Sequence, residues 1–111
     1  MKIGIDIVEI ERFREKLEAN PKLRDRLFTR GEVEYCGKFS DPVPHLAGTF
    51  AAKEAVIKTL GRNPGWRKIE VRRRENGAPE VYLEETHLKG SLSISHTHHT
   101  AVAVFLLLEV L

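Results

Sequence analysis

Asp41-Pro42-Val43-Pro44-His45-Leu46-Ala47-Gly48-Thr49-Phe50-Ala51-Ala52-Lys53-Glu54-Ala55-Val56-Ile57-Lys58-Thr59-Leu60, followed by Gly61, is the stretch on which the fold turns. Asp41 can cap a helix and Pro42 fits the first helical position, where a missing N–H costs nothing. Pro44 is tolerated in the first turn, so the regular helix starts at or just after Asp41. Gly61 follows the last periodic residue as a C-terminal cap. The spacing therefore predicts a long helix over 41–60. Ala47, Ala51, Ala52 and Ala55 are small, so another element should approach this helix closely.

Upstream, Lys2–Val8 alternates, with Ile3, Ile5 and Ile7 on one side and Gly4, Asp6 and Val8 on the other; this predicts a short strand with one buried face. From Glu9 to Ala19, Ile10, Phe13 and Leu17 recur at helical spacing. Asn20-Pro21 ends that helix, and Leu23, Leu27 and Phe28 suggest a second short one. Thr29 and Glu32 form a capping-box pattern that opens a third around Gly31–Lys38.

Downstream of Gly61 the period changes. Ile69–Arg74 and Glu80–Leu83 flank Asn76-Gly77, a strong hairpin signal. Ser91–His96 alternates, with Leu92 and Ile94 opposite Ser91, Ser93 and Ser95. Thr100–Val110 is apolar and β-branched enough for a buried strand. Ala101–Leu108 would invite aggregation at an open edge, so it should be central or covered by another subunit. Helices in the first half and antiparallel strands in the second make an α+β pattern: an antiparallel sheet packed with helices.

The chain has 111 residues, 41% hydrophobic and 31% charged, which suits one globular domain spanning 1–111 and excludes a disordered or low-complexity chain. No apolar run approaches the roughly 20 residues needed to span a bilayer, and Asp6 comes too early for a secretory signal. Cys36 stands alone, which argues against a disulfide framework and a thiolate zinc site, and makes a cytoplasmic location the expectation. The net charge of +2 is mild, but Arg62, Arg67, Lys68, Arg72, Arg73 and Arg74 face only one acid, Glu70, in the same short stretch. A solvated strand face accounts for that patch on charge alone; phosphates, nucleic acid or an acidic protein would also suit it.

Three groups of residues could carry chemistry. Asp6 is a carboxylate on an otherwise apolar strand, either a metal ligand or a cap for the next helix. Glu54 and Lys58 share a helix face at i, i+4, either as a surface ion pair or, among small alanines, as a partly enclosed carboxylate that needs a partner or a cation. Lys53 points elsewhere and reads as plain surface. His96, His98 and His99 cluster in one turn, with His45 and His87 far off in sequence; a solvated turn outweighs a zinc site on His96 and His98.

Gly4-Ile5-Asp6-Ile7-Val8-Glu9-Ile10, Phe50-Ala51-Ala52-Lys53-Glu54-Ala55-Val56-Ile57-Lys58 and Ser93-Ile94-Ser95-His96-Thr97 occur here in that order. Together they resemble the three motifs of the holo-acyl-carrier-protein synthases, the short bacterial phosphopantetheinyl transferases. Thr29-Arg30-x-Glu32 and Asn76-Gly77-x-Pro79 match that family too, so the resemblance runs from about residue 4 to 104.

The resemblance implies a 4′-phosphopantetheinyl transferase-like fold, assembled as a trimer with each site between neighbouring subunits. It implies transfer of 4′-phosphopantetheine from coenzyme A to a serine of an apo-acyl carrier protein, releasing adenosine 3′,5′-bisphosphate. Asp6 and Glu54 would hold magnesium, which typically takes one or two carboxylates together with substrate phosphates and waters. Either a water or a nearby carboxylate would accept the serine proton. Lys58 would stabilise the leaving phosphate, and Gly61, Gly77, Pro79 and His96 would line the coenzyme A site. Arg12 and Arg26 would dock the acidic carrier protein; no nucleic acid or membrane partner is implied. Thr49 departs from the arginine that usually precedes Phe-Ala-Ala-Lys-Glu in the family, leaving a phosphate contact absent or supplied by another cation such as Arg62. Ala19 and Lys22 stand where some relatives carry arginines.

Overall fold

The computed structural model describes residues 1–108. The order is β1 (Lys2–Glu9), α1 (Ile10–Ala19), α2 (Leu23–Leu27), α3 (Arg30–Cys36), α4 (Val43–Leu60), a 3₁₀ turn (Trp66–Lys68), β2 (Ile69–Arg73), β3 (Pro79–Leu83), β4 (Thr86–His87), β5 (Gly90–His96) and β6 (Thr100–Leu107). The strands form two three-stranded antiparallel sheets, β1-β6-β5 and β2-β3-β4, so the α+β expectation holds while the sheet is divided in two. The short β4 and the 3₁₀ turn carry no sequence signal of their own.

α4 is the axis of the molecule. Asp41 accepts the Val43 N–H at 3.1 Å and the first regular residue is Val43, so the two prolines delay the helix by two positions. Gly61 closes it in the left-handed region at φ 74°, donating its N–H to the Ile57 carbonyl. Ala47, Ala51, Ala52 and Ala55 are fully buried, and the close approach they allow is made by a glycine. A Cβ at Gly4 would overlap the Ala55 carbonyl and crowd the Thr59 methyl. Near the other end of α4, a Cβ on Gly48 would press on Ile94. The helix thus crosses the sheet from β5 at its N-terminal half to β1 at its C-terminal half.

β6 is the central strand, as its apolar run demands, with Ala101, Ala103, Phe105 and Leu107 buried against α4. It stops at Leu107; the expected extension to Val110 passes beyond the described residues. β1 buries the face opposite to the apolar one. Gly4, Asp6 and Val8 turn toward α4, whereas Ile3, Ile5 and Ile7 remain 69%, 56% and 68% exposed in the single chain. In register beside them on β6 lie Leu106, Val104 and Val102, so the outer face of this sheet is an apolar stripe.

A second core forms where Ile10, Phe13 and Leu17 of α1 meet Leu27, Phe28, Cys36 and Leu46. Between these cores lies a buried ion pair. Lys53, expected on the surface, is fully buried, with Nζ 2.6 Å from Glu32 Oε1 and donating to the carbonyls of Leu27 at 2.8 Å and Trp66 at 2.9 Å. Its place on the wheel faces the interior because Glu32 already stands there. The Thr29–Glu32 capping box forms as expected, and Glu32 also accepts the Val71 N–H, tying α3 to β2. Burial raises the Glu32 carboxyl and lowers the Lys53 ammonium in proton affinity; each partner's charge opposes that shift in the other.

Candidate active site

Asp6 reaches its place because β1 presents its even positions to α4, and the close contact at Gly4 brings the two elements together. It does not cap α1, whose N-cap Glu9 has no side-chain bond. Lys58, one turn beyond Glu54, donates to the Ile5 carbonyl at 2.6 Å and lies 3.4 Å from Asp6 Oδ1. Glu54 is half-buried beside them. Its carboxyl is raised in proton affinity by burial first and by the charge of Asp6 second, with Lys58 and the Trp66 indole opposing. The Trp66 N–H lies close enough to favour the Glu54 charge, yet no acceptor satisfies it fully, leaving Nε1 buried without a hydrogen bond. Asp6, Glu54 and Lys58 therefore converge on one flank of α4, with Gly61 at the end of the same helix.

Asp6 and Glu54 also line an open cleft with Glu9, Arg12 and Lys16, across from Phe13 and Phe50, whose rings stack at 5.4 Å. Arg12 thus stands at the rim of the carboxylate site, while Arg26 is exposed on α2 away from that lining. Glu9, three residues beyond Asp6, and Lys16, four beyond Arg12, have only that spacing as a sequence signal. Asp6, whose negative charge raises the proton affinity of Glu54, forms with it a pair of carboxylates that suits a divalent cation, and magnesium asks for no more protein ligands than that. Among the described residues no group of three His, Cys, Asp or Glu side chains could hold a metal ion by itself.

The remaining candidates lie on the other flank. His45 and Glu54 are nine positions apart, which at about 100° per residue places them on opposite sides of α4. The His45 ring stacks on Phe39 at 3.5 Å and meets His96 edge-on at 5.1 Å. Phe39 in turn contacts Tyr35, over which Arg73 lies at 4.7 Å. Arg73 donates to the carbonyl of Gly77, the positive-φ residue at the tip of the β2–β3 hairpin. Gly77 and His96 are thus linked through Arg73, Tyr35, Phe39 and His45. Pro79 begins β3 beside them and lines a neighbouring groove with His87 and Leu92. His98 and His99 are exposed in a turn held by Thr97 Oγ1, which accepts the N–H groups of His99 and Thr100.

Much of the basic patch is neutralised locally: Arg72 pairs with Glu70 and Glu85, Arg74 with Glu80, and Lys68 with Glu84. Arg73 has no carboxylate partner among the described residues. Thr49 is buried, its hydroxyl donating to the His45 carbonyl at 2.8 Å. Arg62 lies beyond the C-terminal cap of α4, at the opposite end of the helix from His45.

The arrangement has counterparts across known proteins. The 4′-phosphopantetheinyl transferase superfamily model matches residues 2–106, and the chain belongs to that family. Its relatives there include the holo-[acyl-carrier-protein] synthase of Chlorobaculum parvum, 47% identical over 96% of this chain and 97% of that one. The enzyme of the same name from Leptospira biflexa is 46% identical over 95% of each. Among solved structures, the holo-(acyl-carrier-protein) synthase of Bacillus anthracis in complex with CoA (3′,5′-ADP) superposes with a TM-score of 0.83 at 34% identity, covering 95% of this chain and 93% of that chain. The Helicobacter pylori holo-[acyl-carrier-protein] synthase in complex with coenzyme A gives a TM-score of 0.83 at 29% identity, covering 96% and 99%.

Proposed function

We propose that this chain transfers the 4′-phosphopantetheine of coenzyme A to a serine of an apo-acyl carrier protein, using magnesium held by Asp6 and Glu54. The observation that carries the proposal is the convergence of Asp6, Glu54 and Lys58 on one flank of α4, in a chain matched almost end to end by holo-acyl-carrier-protein synthases. The serine oxygen, its proton passing to a water or a nearby carboxylate, forms a bond to the phosphorus that carries the pantetheine. The bond from that phosphorus to the bridging oxygen breaks, and adenosine 3′,5′-bisphosphate leaves. Magnesium, when bound, offsets the charge of the pyrophosphate. Lys58 sits one turn from Glu54 with its side chain more than half exposed, so it can meet the departing phosphate oxygen as charge develops there. Arg12, at the rim of the same cleft, and Arg26 on α2 supply positive charge for an acidic carrier protein.

The working assembly in this proposal is a homotrimer with the site between subunits. Two observations support it. The flank bearing Asp6, Glu54, Lys58 and Gly61 and the flank bearing His96 and Gly77 lie on opposite sides of α4, so a ligand touching both sets meets them on two copies of the chain. The outer stripe of Ile3, Ile5 and Ile7 beside Val104 gives those copies an apolar face to bury. A cytoplasmic location fits the unpaired, buried Cys36, and no helix among the described residues is long and apolar enough to cross a membrane.

Glu54→Gln tests the metal assignment. Transfer should fall by more than about a hundredfold while circular dichroism and the unfolding midpoint stay near those of the parent. Unchanged turnover in a folded variant would overturn it.

A further inference from the structure

Among the described residues one buried side-chain polar atom lacks a hydrogen bond: Nε1 of Trp66, beside the carboxylate site. Donors buried without an acceptor are rare in folded proteins, because the loss of water is not offset. Trp66 opens the 3₁₀ turn between α4 and β2, and its backbone is fixed from both sides. Its carbonyl accepts Lys53 Nζ at 2.9 Å and the N–H of Ile69. Just before it, Asn63 Oδ1 accepts the Gly65 N–H at 2.8 Å. The indole packs beside Phe50 of α4, with ring centroids 6.4 Å apart. Successive residues of α4 therefore meet the two ends of Trp66. Lys53, paired with Glu32 at 2.6 Å, takes the backbone carbonyl inside the core, and Glu54 meets the indole N–H at the cleft.

This arrangement bears on how Glu54 can hold a cation. Lys58, one turn away, is directed elsewhere, donating to the Ile5 carbonyl at 2.6 Å and lying 3.4 Å from Asp6. A half-buried carboxylate that gives one oxygen to a metal ion needs a donor for the other, and that second partner fixes the ligand's direction. An indole N–H suits the task because it only donates, so it cannot compete for the ion. We propose that Trp66 is a positioning residue of the metal site: its indole N–H takes one oxygen of Glu54 and turns the other toward the cation, while the Glu32–Lys53 pair anchors the turn that carries the indole. That the cation is magnesium rests on the transferase reading above. No proton is transferred and no covalent bond changes. The buried donor without an acceptor is then one half of a bond that closes when the ion binds. The buried ion pair also gains a task beyond stability, since it holds the residue that aims Glu54.

Trp66 is the single tryptophan of the chain, so the wild type gives one indole N–H signal in a proton–nitrogen correlation spectrum. The probe is magnesium ion, added to the intact protein alone and again with coenzyme A but without carrier protein, so that nothing turns over. Calorimetry under the same conditions gives the magnesium dissociation constant. The indole signal should move downfield as the ion binds, along the same saturation curve. Trp66→Phe keeps an aromatic ring in the turn and removes the N–H. Its magnesium dissociation constant should rise by about tenfold, the lower end of what losing a bond to a metal ligand costs. Its urea midpoint should stay at or above that of the parent, because an unpaired buried donor has gone. In transfer assays the magnesium needed for half-maximal rate should rise by the same factor, with kcat recovered at saturating metal. A merely structural Trp66 gives the opposite pattern, a lower midpoint with unchanged magnesium affinity. The indole signal is read on the wild type and stands whatever the variant's folding. A signal that stays in place while magnesium saturates the protein, or a folded Trp66→Phe with unchanged affinity, overturns the inference and leaves the transferase reading standing. No magnesium binding under either condition overturns it together with the metal part of that reading.

Discussion

Lys53→Met removes one charge from the most enclosed ion pair of the molecule, and its cost can be worked from the contacts. The ammonium has three partners: Glu32 at 2.6 Å and the carbonyls of Leu27 and Trp66 at 2.8 and 2.9 Å, with Phe28 beneath it at 5.5 Å. Deleting one member of a buried pair leaves the other uncompensated, a loss of about 3–5 kcal/mol. The Leu27 carbonyl, left without its donor, adds about 1 kcal/mol, whereas the Trp66 carbonyl keeps the Ile69 N–H. Against this, Glu32 keeps the N–H groups of Thr29 and Val71, and it can take up a proton. We expect a net loss of about 4 kcal/mol, a large share of the roughly 5–15 kcal/mol that holds a domain together. Urea unfolding followed by circular dichroism at fixed protein concentration should show the midpoint falling by roughly 2 M. Lys53→Met combined with Glu32→Leu should lose less than the sum of the single changes, by about 1–3 kcal/mol, because the second change removes the charge that the first stranded. A Lys53→Met protein within about 1 kcal/mol of the parent would refute this account of the pair.

Three further outcomes follow from other parts of the structure. Gly4→Ala places a methyl group on the Ala55 carbonyl; β1 must move off α4, and we expect a loss of at least about 2 kcal/mol in urea unfolding together with weakened transfer, because Asp6 moves with the strand. The Asp41 carboxyl is held below its ordinary 3.8, first by its hydrogen bonds from Arg14, so the stability it contributes is present above pH 3.8 and disappears as pH falls through the lowered value; Asp41→Asn should therefore be less stable than the parent at pH 6 and converge with it near pH 2, as thermal melts across that range would show. Ile5→Glu puts a charge in the exposed apolar stripe, and light scattering coupled to size exclusion should report a single chain in place of the proposed trimer; an unchanged mass would show that this face is not the interface.

The parts of the fold that were legible were those written in local chemistry. α4 announced itself through Asp41, the prolines and Gly61, α3 through its capping box, and the β2–β3 hairpin through Asn76-Gly77. The pairing of Asp6 with Glu54 was reached through the motifs that carry the family resemblance, and the structure brings those residues together on neighbouring elements. Lys53 was misread because a charged side chain between Ala52 and Glu54 looks solvated until its partner is known, and Glu32 lies on a different helix. The orientation of β1 was ambiguous for a different reason. Alternation separates two faces, and an apolar face can be buried by a helix of the same chain or by another chain. Here the small and polar face took the helix because only Gly4 lets Ala55 come so close. The meeting of His45 with His96, far apart in sequence, has no local signal; the contact is a product of how α4 crosses the sheet.

The most direct test of the central claim is the intact mass of an apo-acyl carrier protein incubated with coenzyme A, magnesium and this protein, beside the same mixture treated with a chelator. The account predicts a mass gain of one phosphopantetheine that disappears on chelation. An unmodified carrier across several apo-acyl carrier proteins, with the protein folded, would contradict it, and an equal gain with the metal removed would contradict the role given to Asp6 and Glu54.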